Sequence, residues 1–193
     1  QLISGLPFCD YMAQELLNPL GMVNSTFDKH KVLENGNFAV GQIDNHEVPF
    51  TPIPMIPAGA LFSSVTDMTR FLSFQISRGE LAKKQILGTK FIEQMREPQF
   101  GETTADYYGL GVAVNWTPRV QAVVCQHGGG GYGYLAAQAW IPEHNIGLAL
   151  LTNQGDPEVY ALSLGIMARM IRAKYGTIPR KTEKSDKPEW EEY

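Results

Sequence analysis

The stretch Gln126–Pro142, "QHGGGGYGYLAAQAWIP", joins one imidazole, His127, to four consecutive glycines, Gly128 to Gly131, and then to a strand-like run. Three uses of that much bare backbone present themselves: a phosphate cradle, an acyl-transfer site and a hairpin bend. A phosphate cradle needs the glycine loop to open a helix, so that amide groups and the helix dipole converge on the anion. Here the glycines open a strand, Tyr132–Ile141, and no Lys-Ser or Lys-Thr pair follows. A tight turn between two strands would need only two glycines. Four in a row favour close approach of a ligand or another backbone. In its functional form that idea is an oxyanion hole, a bare strand-edge N–H aimed at developing negative charge.

Outward from this stretch, the second half of the chain reads as strands. "YGLGVAVNW" (Tyr108–Trp116), "VQAVVCQH" (Val120–His127), Tyr132–Ile141 and "NIGLALLTN" (Asn145–Asn153) are separated by Thr117-Pro118, the glycine run and Pro142–Asn145. Connections this short imply antiparallel neighbours. The run Ile146–Leu151 is apolar on both faces, which predicts a strand covered by helices on both sides.

Helices flank the strands. Pro7 suits a first helical turn, Phe8, Tyr11, Met12 and Leu16 recur at helical spacing, and Asn18-Pro19 ends the element. Gly21 to Ser63, with Pro49, Pro52, Pro54 and Pro57, reads as one long irregular region of the kind that flanks a site. Ser64 followed by Asp67 is a capping-box-like start to a helix with Met68, Phe71, Leu72 and Ile76 on its apolar face and Gly79 as its stop. A short helix is predicted over Thr89–Arg96. The last helix has Asp156 as cap, Pro157 in first position, Glu158 in the first turn and Val159, Leu162, Ile166, Met167 and Met170 on its apolar face. Arg169, Arg172 and Lys174 stand near its carbonyl end, and Gly176 closes it. The predicted fold class is α+β, an antiparallel sheet covered by helices, spanning residues 1–175, with 176–193 a polar tail. No internal repeat is present.

Composition narrows the function classes. The 193 residues are 44% hydrophobic and 19% charged with a formal net charge of -4, enough for one ordinary domain with a core. No basic run interleaves with aromatics, which argues against a nucleic-acid partner, and no apolar run approaches a membrane span. Cys9 and Cys125 give neither metal spacing nor a disulfide framework, and read as buried thiols. No His, Cys, Asp and Glu pattern points to a metal or any other cofactor. The first residues, "QLISGLPF", open in mid-element, from which the chain is expected to be a piece of something longer.

Among reactive side chains, Cys125 and His127 are two apart and share a strand face, which admits a Cys–His dyad. Neighbours on one strand rarely converge in nucleophile geometry, and Cys125 lies in an apolar run. Taken alone, His127 reads first as a satisfied strand-end histidine. His30 and His46 fall in the irregular region and His144 in a turn. Glu102 and Asp106 read as solvated loop carboxylates. Trp116 and Trp140 read as core, and Tyr132 and Tyr134, sharing a face beyond the glycines, either line a pocket or simply pack.

Five segments in order resemble one known family. They are "SGLPFCDYMAQELLNPLGMVNSTF" (Ser4–Phe27), "PAGALFSSVTDMTRFL" (Pro57–Leu72), "YGLGVAV" (Tyr108–Val114), "QHGGGGYGY" (Gln126–Tyr134) and "IPEHNIGLALLTN" (Ile141–Asn153). Their order and spacing are similar to the serine β-lactamase-like family, which includes class C β-lactamases, penicillin-binding proteins, D-aminopeptidases and related esterases. The likeness covers nearly the whole chain to about Lys174.

That resemblance implies the C-terminal part of a β-lactamase/transpeptidase-like fold. It implies acyl-enzyme chemistry on an S-x-x-K serine, a Y-x-N or S-x-N motif, and a third motif of K-T-G type. The third motif falls on His127-Gly128-Gly129, with Gly130 offering an oxyanion-hole N–H and with His127, Gly128, Gly129 and Tyr132 facing the substrate. Histidine in place of lysine weakens ion pairing to a substrate carboxylate, and so favours an esterase or peptidase over a dedicated β-lactamase.

The chain departs from the family in having no S-x-x-K: Ser25 precedes Lys29 by four positions and Ser185 precedes Lys187 by two. No Y-x-N or S-x-N stands before the first helix. The resemblance therefore implies that the nucleophile lies upstream of Gln1, in an N-terminal segment of the same protein or in a second chain, and that this chain alone is inactive. Without that segment, a sheet edge and an apolar face would be open and the monomer would not fold stably. The expected partner is a small-molecule or peptide-like substrate, and family members are often periplasmic or secreted. The competing readings are a non-catalytic relative that binds or scaffolds and, disfavoured by the ordered segments, an unrelated binding domain.

Overall fold

A computed structural model describes residues 2–51, 53–103, 106–155 and 158–179. In chain order the elements are α1 (Phe8–Met12), continued by a π-helical turn (Ala13–Leu17), α2 (Lys29–Asn35), β1 (Gln42–Ile43), β2 (His46–Glu47), α3 (Ile56–Gly59) and α4 (Val65–Ile76). There follow β3 (Glu80–Leu81), β4 (Lys84–Gln85), α5 (Thr89–Met95), β5 (Phe100–Thr103), β6 (Asp106–Tyr108), β7 (Ala113–Thr117), β8 (Ala122–Gly131), β9 (Tyr134–Ile141), β10 (Ile146–Thr152) and α6 (Val159–Tyr175).

The α+β architecture stands. Six strands form one sheet in the order β10-β9-β8-β7-β6-β5, every neighbour antiparallel. Helix α4 packs on one face of β10 and α6 on the other, as the doubly apolar Ile146–Leu151 run requires. The α4 face buries Leu17, Leu20, Met22, Met68, Leu72, Phe74, Val114, Cys125 and Trp140. The α6 face buries Val120, Ala122, Val124, Ala139, Ile141, Met167 and Ile171. Each fully buried aliphatic side chain contributes roughly 1.5–3 kcal/mol of transfer free energy. Among the described residues no helix is long and apolar enough to cross a membrane.

The Ser64 cap forms as the sequence predicts: its side chain accepts a hydrogen bond from the Asp67 N–H at 3.2 Å. Gly79 adopts φ +90°, beyond the helix end. Asp156, Pro157 and Trp190 lie outside the described residues, and Glu158 sits at the N-cap of α6.

Several expectations are corrected. The glycine run does not open a strand or bend a hairpin: β8 runs straight through Gly131. The turn is Tyr132-Gly133, with Gly133 at φ +79°. The segment Tyr108–Trp116 is not one strand. Gly111 at φ +75° and the bond from Gly109 N–H to the Val112 carbonyl (2.8 Å) fold it into a turn between β6 and β7. Gly21–Ser63 is not wholly irregular. Asp28 caps α2 by accepting from the His30 N–H at 2.9 Å, and Gly36 ends it at φ +69°. Glu102 and Asp106 fall in β5 and β6 rather than in a loop.

The buried face of α6 is Val159, Ser163, Met167, Ala168 and Ile171, one position round from the predicted face, and Leu162 is 56% exposed. Apolar residues encircle this helix, so periodicity could not choose its buried side.

Candidate functional site

The site is built on the overhang of one strand. Strand β7 pairs with β8 as far as Ala113 opposite Gln126, whereas β9 pairs with β8 out to Tyr134 opposite Gly131. His127–Gly131 therefore have a neighbour on the β9 side and, among the described residues, no strand on the β7 side. The pair closing a two-residue hairpin must exchange both backbone hydrogen bonds, since no residues remain beyond it to bond otherwise. Alternation along an antiparallel ladder then fixes the rest. Gly131, Gly129 and His127 bond to β9, while Gly130 and Gly128 turn N–H and C=O toward the unpaired edge.

The tip of this hairpin is held in place. The Tyr134 hydroxyl donates to the Ala39 carbonyl at 2.8 Å, the Gln42 N–H to the Gly133 carbonyl at 3.2 Å, and Asn153 Nδ2 to the Val40 carbonyl at 2.7 Å. A Cβ on Gly41 would approach the Tyr132 carbonyl to 2.8 Å, so the strap presses directly on the tip. Helix α3 packs beside β8, and Ile53 reaches the Gly131 face. The Pro-rich region thus flanks the overhang.

Side-chain faces alternate along β8. Cys125, His127, Gly129 and Gly131 face the α4 side; Gln126, Gly128 and Gly130 face the α6 side. Gly128 is bare because of its neighbour: a Cβ there would come within 2.6 Å of Tyr160 Cε1 on α6. At Gly129 the nearest atom to an added Cβ is Ala136 Cβ, at 3.7 Å, and at Gly131 it is Ile53 Cδ1, at 3.5 Å. Those two are ordinary contacts, so packing within the described residues does not demand glycine there.

His127 is half-buried, with the Tyr108 ring centroid 6.3 Å away. Tyr132 sits in the turn, 53% exposed, and so does not share the strand face of Tyr134. Cys125 is 2% exposed, in the α4-side core. Burial pushes its thiol up to about 11, partly offset by the Arg96 guanidinium, so it carries no thiolate for a Cys–His dyad near neutral pH. Burial likewise raises Tyr107 and lowers Arg96, whose guanidinium donates to the Gln75 carbonyl. Cys9 is a half-buried free thiol 3.7 Å from the Phe27 carbonyl. His30 and His46 are exposed, far from any cluster of ligands. His144 is buried in a 3-10 turn beside Tyr175, with ring centroids 5.3 Å apart. Among the described residues no group of three or more His, Cys, Asp and Glu side chains is placed to hold a metal.

The family model for Beta-lactamase matches residues 2–166. The chain belongs to the beta-lactamase family. A penicillin-binding protein homologue from Pyrococcus abyssi, described as octameric, superposes with a TM-score of 0.69 at 28% identity. The match covers 91% of this chain and 39% of that one, so this chain spans about two fifths of its structural relative's length. No curated protein matches.

Within this beta-lactamase-family domain a feature that sequence reasoning missed is a polar knot under the start of α4. The Asp67 carboxylate, 1% exposed, accepts from the Asn24 N–H at 2.7 Å and from the Ser25 hydroxyl at 2.8 Å. Ser25 is also 2.7 Å from the Ser63 hydroxyl. Asp67 was legible as a capping-box residue. Its partners more than forty positions away were not, because nothing local marks them.

Proposed function

We propose that residues 1–175 are the C-terminal part of a serine hydrolase of this family, acting on an ester, amide or peptide, with 176–193 a polar tail. In this reading the nucleophilic serine comes from sequence before Gln1 or from a second chain. Its Oγ attacks the scissile carbonyl, the oxyanion forms against the Gly130 N–H and the serine's own N–H, and collapse expels the amine or alcohol. Water then hydrolyses the acyl-serine. His127, Gly128, Gly129 and Tyr132 line the substrate, Gly128 only through its edge N–H and C=O because its α6 face lies under Tyr160, and no cofactor takes part.

One observation carries the reading: the overhang leaves the Gly130 N–H on an edge with no strand neighbour among the described residues, flanked on the α4 face by Gly129 and Gly131. A hairpin bend explains none of this, because the turn uses Tyr132-Gly133. Two further features support an upstream segment. Strand β10 stands at the end of the sheet order, its Leu151 is exposed, and Leu162 is exposed on α6, which packs against it.

The test labels the full-length protein with a serine-reactive acylating probe. Rapid stoichiometric labelling is expected, with a loss of about 100-fold or more in rate on Gly130→Pro, which deletes the donor. Labelling of Gly130→Pro at the wild-type rate removes Gly130 from the oxyanion hole. Absence of labelling in the full-length wild type favours a binding role for the fold.

A further inference from the structure

We propose that Gln138 is the positioning residue of His127: its side-chain oxygen accepts a hydrogen bond from the imidazole and fixes which ring nitrogen meets the ligand. The inference rests on the reading that His127 faces the substrate. Strand register sets Gln138 directly opposite His127. By the ladder parity derived above this is a pair that exchanges both backbone hydrogen bonds, with both side chains on the α4 face and their Cβ atoms about 5.5 Å apart. Gln138 Oε1 is buried and has no hydrogen-bond partner among the described residues. A buried amide oxygen left without a donor costs about 1–3 kcal/mol, and such a group calls for an explanation.

Two donors share that face. One is the His127 ring N–H. The other is Trp140 Nε1, two residues along β9, also buried without a partner among the described residues. Trp140 pairs opposite Cys125 in the core, whereas His127 begins the overhang. The His127–Gln138 bond belongs to the ligand-filled site, since hydrogen bonds of this kind tighten when ligand fills a site.

The chemical consequence is specific. An imidazole that donates through one nitrogen holds a lone pair on the other. His127 then presents an acceptor to the glycine edge and selects a ligand bearing an N–H or O–H at that point rather than a carboxylate. The other groups facing His127 from its surroundings are the Tyr108 ring and, two residues back on its own strand, the Cys125 thiol held protonated by burial. Strand β9 brings Tyr134, Ala136, Gln138 and Trp140 to this face; the Tyr134 hydroxyl donates to the Ala39 carbonyl, and none of the four carries a charge.

The experiment is histidine-selective 15N NMR on the full-length protein, with His127 assigned by the signal lost in His127→Gln. The wild type is expected to show one dominant neutral tautomer. Gln138→Glu puts a carboxylate opposite the ring and is expected to raise the His127 midpoint by about one unit or more. Gln138→Met, similar in volume and without the oxygen, is expected to mix the tautomers without raising the midpoint. If the tautomer signature and midpoint are the same in wild type, Gln138→Glu and Gln138→Met, Gln138 Oε1 accepts from another donor, such as Trp140 Nε1–H, and the proposal falls. Should Gln138→Met fail to fold, Gln138→Glu decides alone. The imidazole signal is read whether or not the protein acylates, so failure here is distinct from failure of the hydrolase reading.

Discussion

The Tyr160 ring of α6 lies over the bare backbone of Gly128, where an added Cβ would come within 2.6 Å of Tyr160 Cε1 and 2.8 Å of Cζ. One of the four glycines is therefore explained by packing across the sheet rather than by a ligand. Gly128→Ala is expected to destabilise the protein by about 1 kcal/mol or more, the usual cost of overpacking. Tyr160 is partly exposed and can swing outward, which holds the cost at the low end. Chemical denaturation of Gly128→Ala, Tyr160→Ala and the double variant checks the cause. In the Tyr160→Ala background the alanine at 128 should cost nothing, giving a coupling energy of about 1 kcal/mol.

Gly129 gives the opposite expectation. Its nearest neighbour to an added Cβ is 3.7 Å away, and its φ is not in the left-handed region. Gly129→Ala should leave stability unchanged or raise it by up to about 1 kcal/mol through the unfolded state. Its methyl would project from the α4 face, so acylation by the serine-reactive probe should fall while the denaturation midpoint does not. A fall in both together would assign Gly129 to packing.

Asp67 ties the loop after α1 to the start of α4 through Asn24 and Ser25. Asp67→Ala strands the Asn24 N–H and the Ser25 hydroxyl together, and is expected to cost about 3 kcal/mol. Asp67→Asn keeps one acceptor and the side-chain volume and should cost less. Ser25→Ala removes the bonds to Asp67 and Ser63 but leaves the carboxylate its Asn24 donor, and should cost about 1 kcal/mol. Urea unfolding midpoints at fixed pH rank the three, and equal effects of Ser25→Ala and Asp67→Ala would mean that the carboxylate is not the anchor.

How much of this was legible in the sequence depended on range. The Ser64–Asp67 cap, the β8-to-β10 strands and the helices on both faces of β10 follow from neighbours a few residues apart, whereas the Gly109–Gly111 turn that divides Tyr108–Trp116 was read through. The α2 signals, Asp28 and Gly36, were equally local, but they bracket only seven residues, too few for helical periodicity to stand out. The α6 face was illegible because Leu162, Leu164, Ile166, Met167, Met170 and Ile171 surround the helix. At the site, His127 and the glycines stood out as composition. What each glycine does depends on Tyr160, Leu135, Ile53 and the register with β7 and β9, relationships that exist only once the sheet is assembled.

Cys125 makes stability depend on alkaline pH. Burial moves the thiol from an ordinary value of 9.0 up to about 11. The folded state therefore holds its proton where the unfolded chain has lost it. The contribution is fully present below the unfolded value, declines as pH rises from about 9 to about 11, and is gone above the folded value. The integrated loss is about 2–3 kcal/mol at 1.36 kcal/mol per unit. Tyr107, also raised by burial, acts in the same direction at higher pH. Urea midpoints between pH 8 and 11 should fall more steeply in the wild type than in Cys125→Ala. Parallel curves would show that the thiol is hydrated in solution.

The ladder parity of β8 makes a sharper claim than any single contact. Proline cannot donate, so it disrupts a strand where its N–H would have been bonded and is tolerated where the N–H faces an open edge. Gly130 turns its N–H to the β7 side, where no described strand pairs with it, and Gly129 turns its N–H to β9. Gly129→Pro should therefore lose a ladder bond and cost about 3 kcal/mol or more. Gly130→Pro should cost markedly less, a difference of at least about 1 kcal/mol. A Cβ at 130 meets Leu135 Cδ2 at 3.2 Å, the end of a side chain that can yield. Unfolding midpoints of the two variants in the full-length protein give the comparison. If the order is reversed, the register has slipped by one residue, and the Gly130 amide points into the sheet, where no oxyanion could reach it.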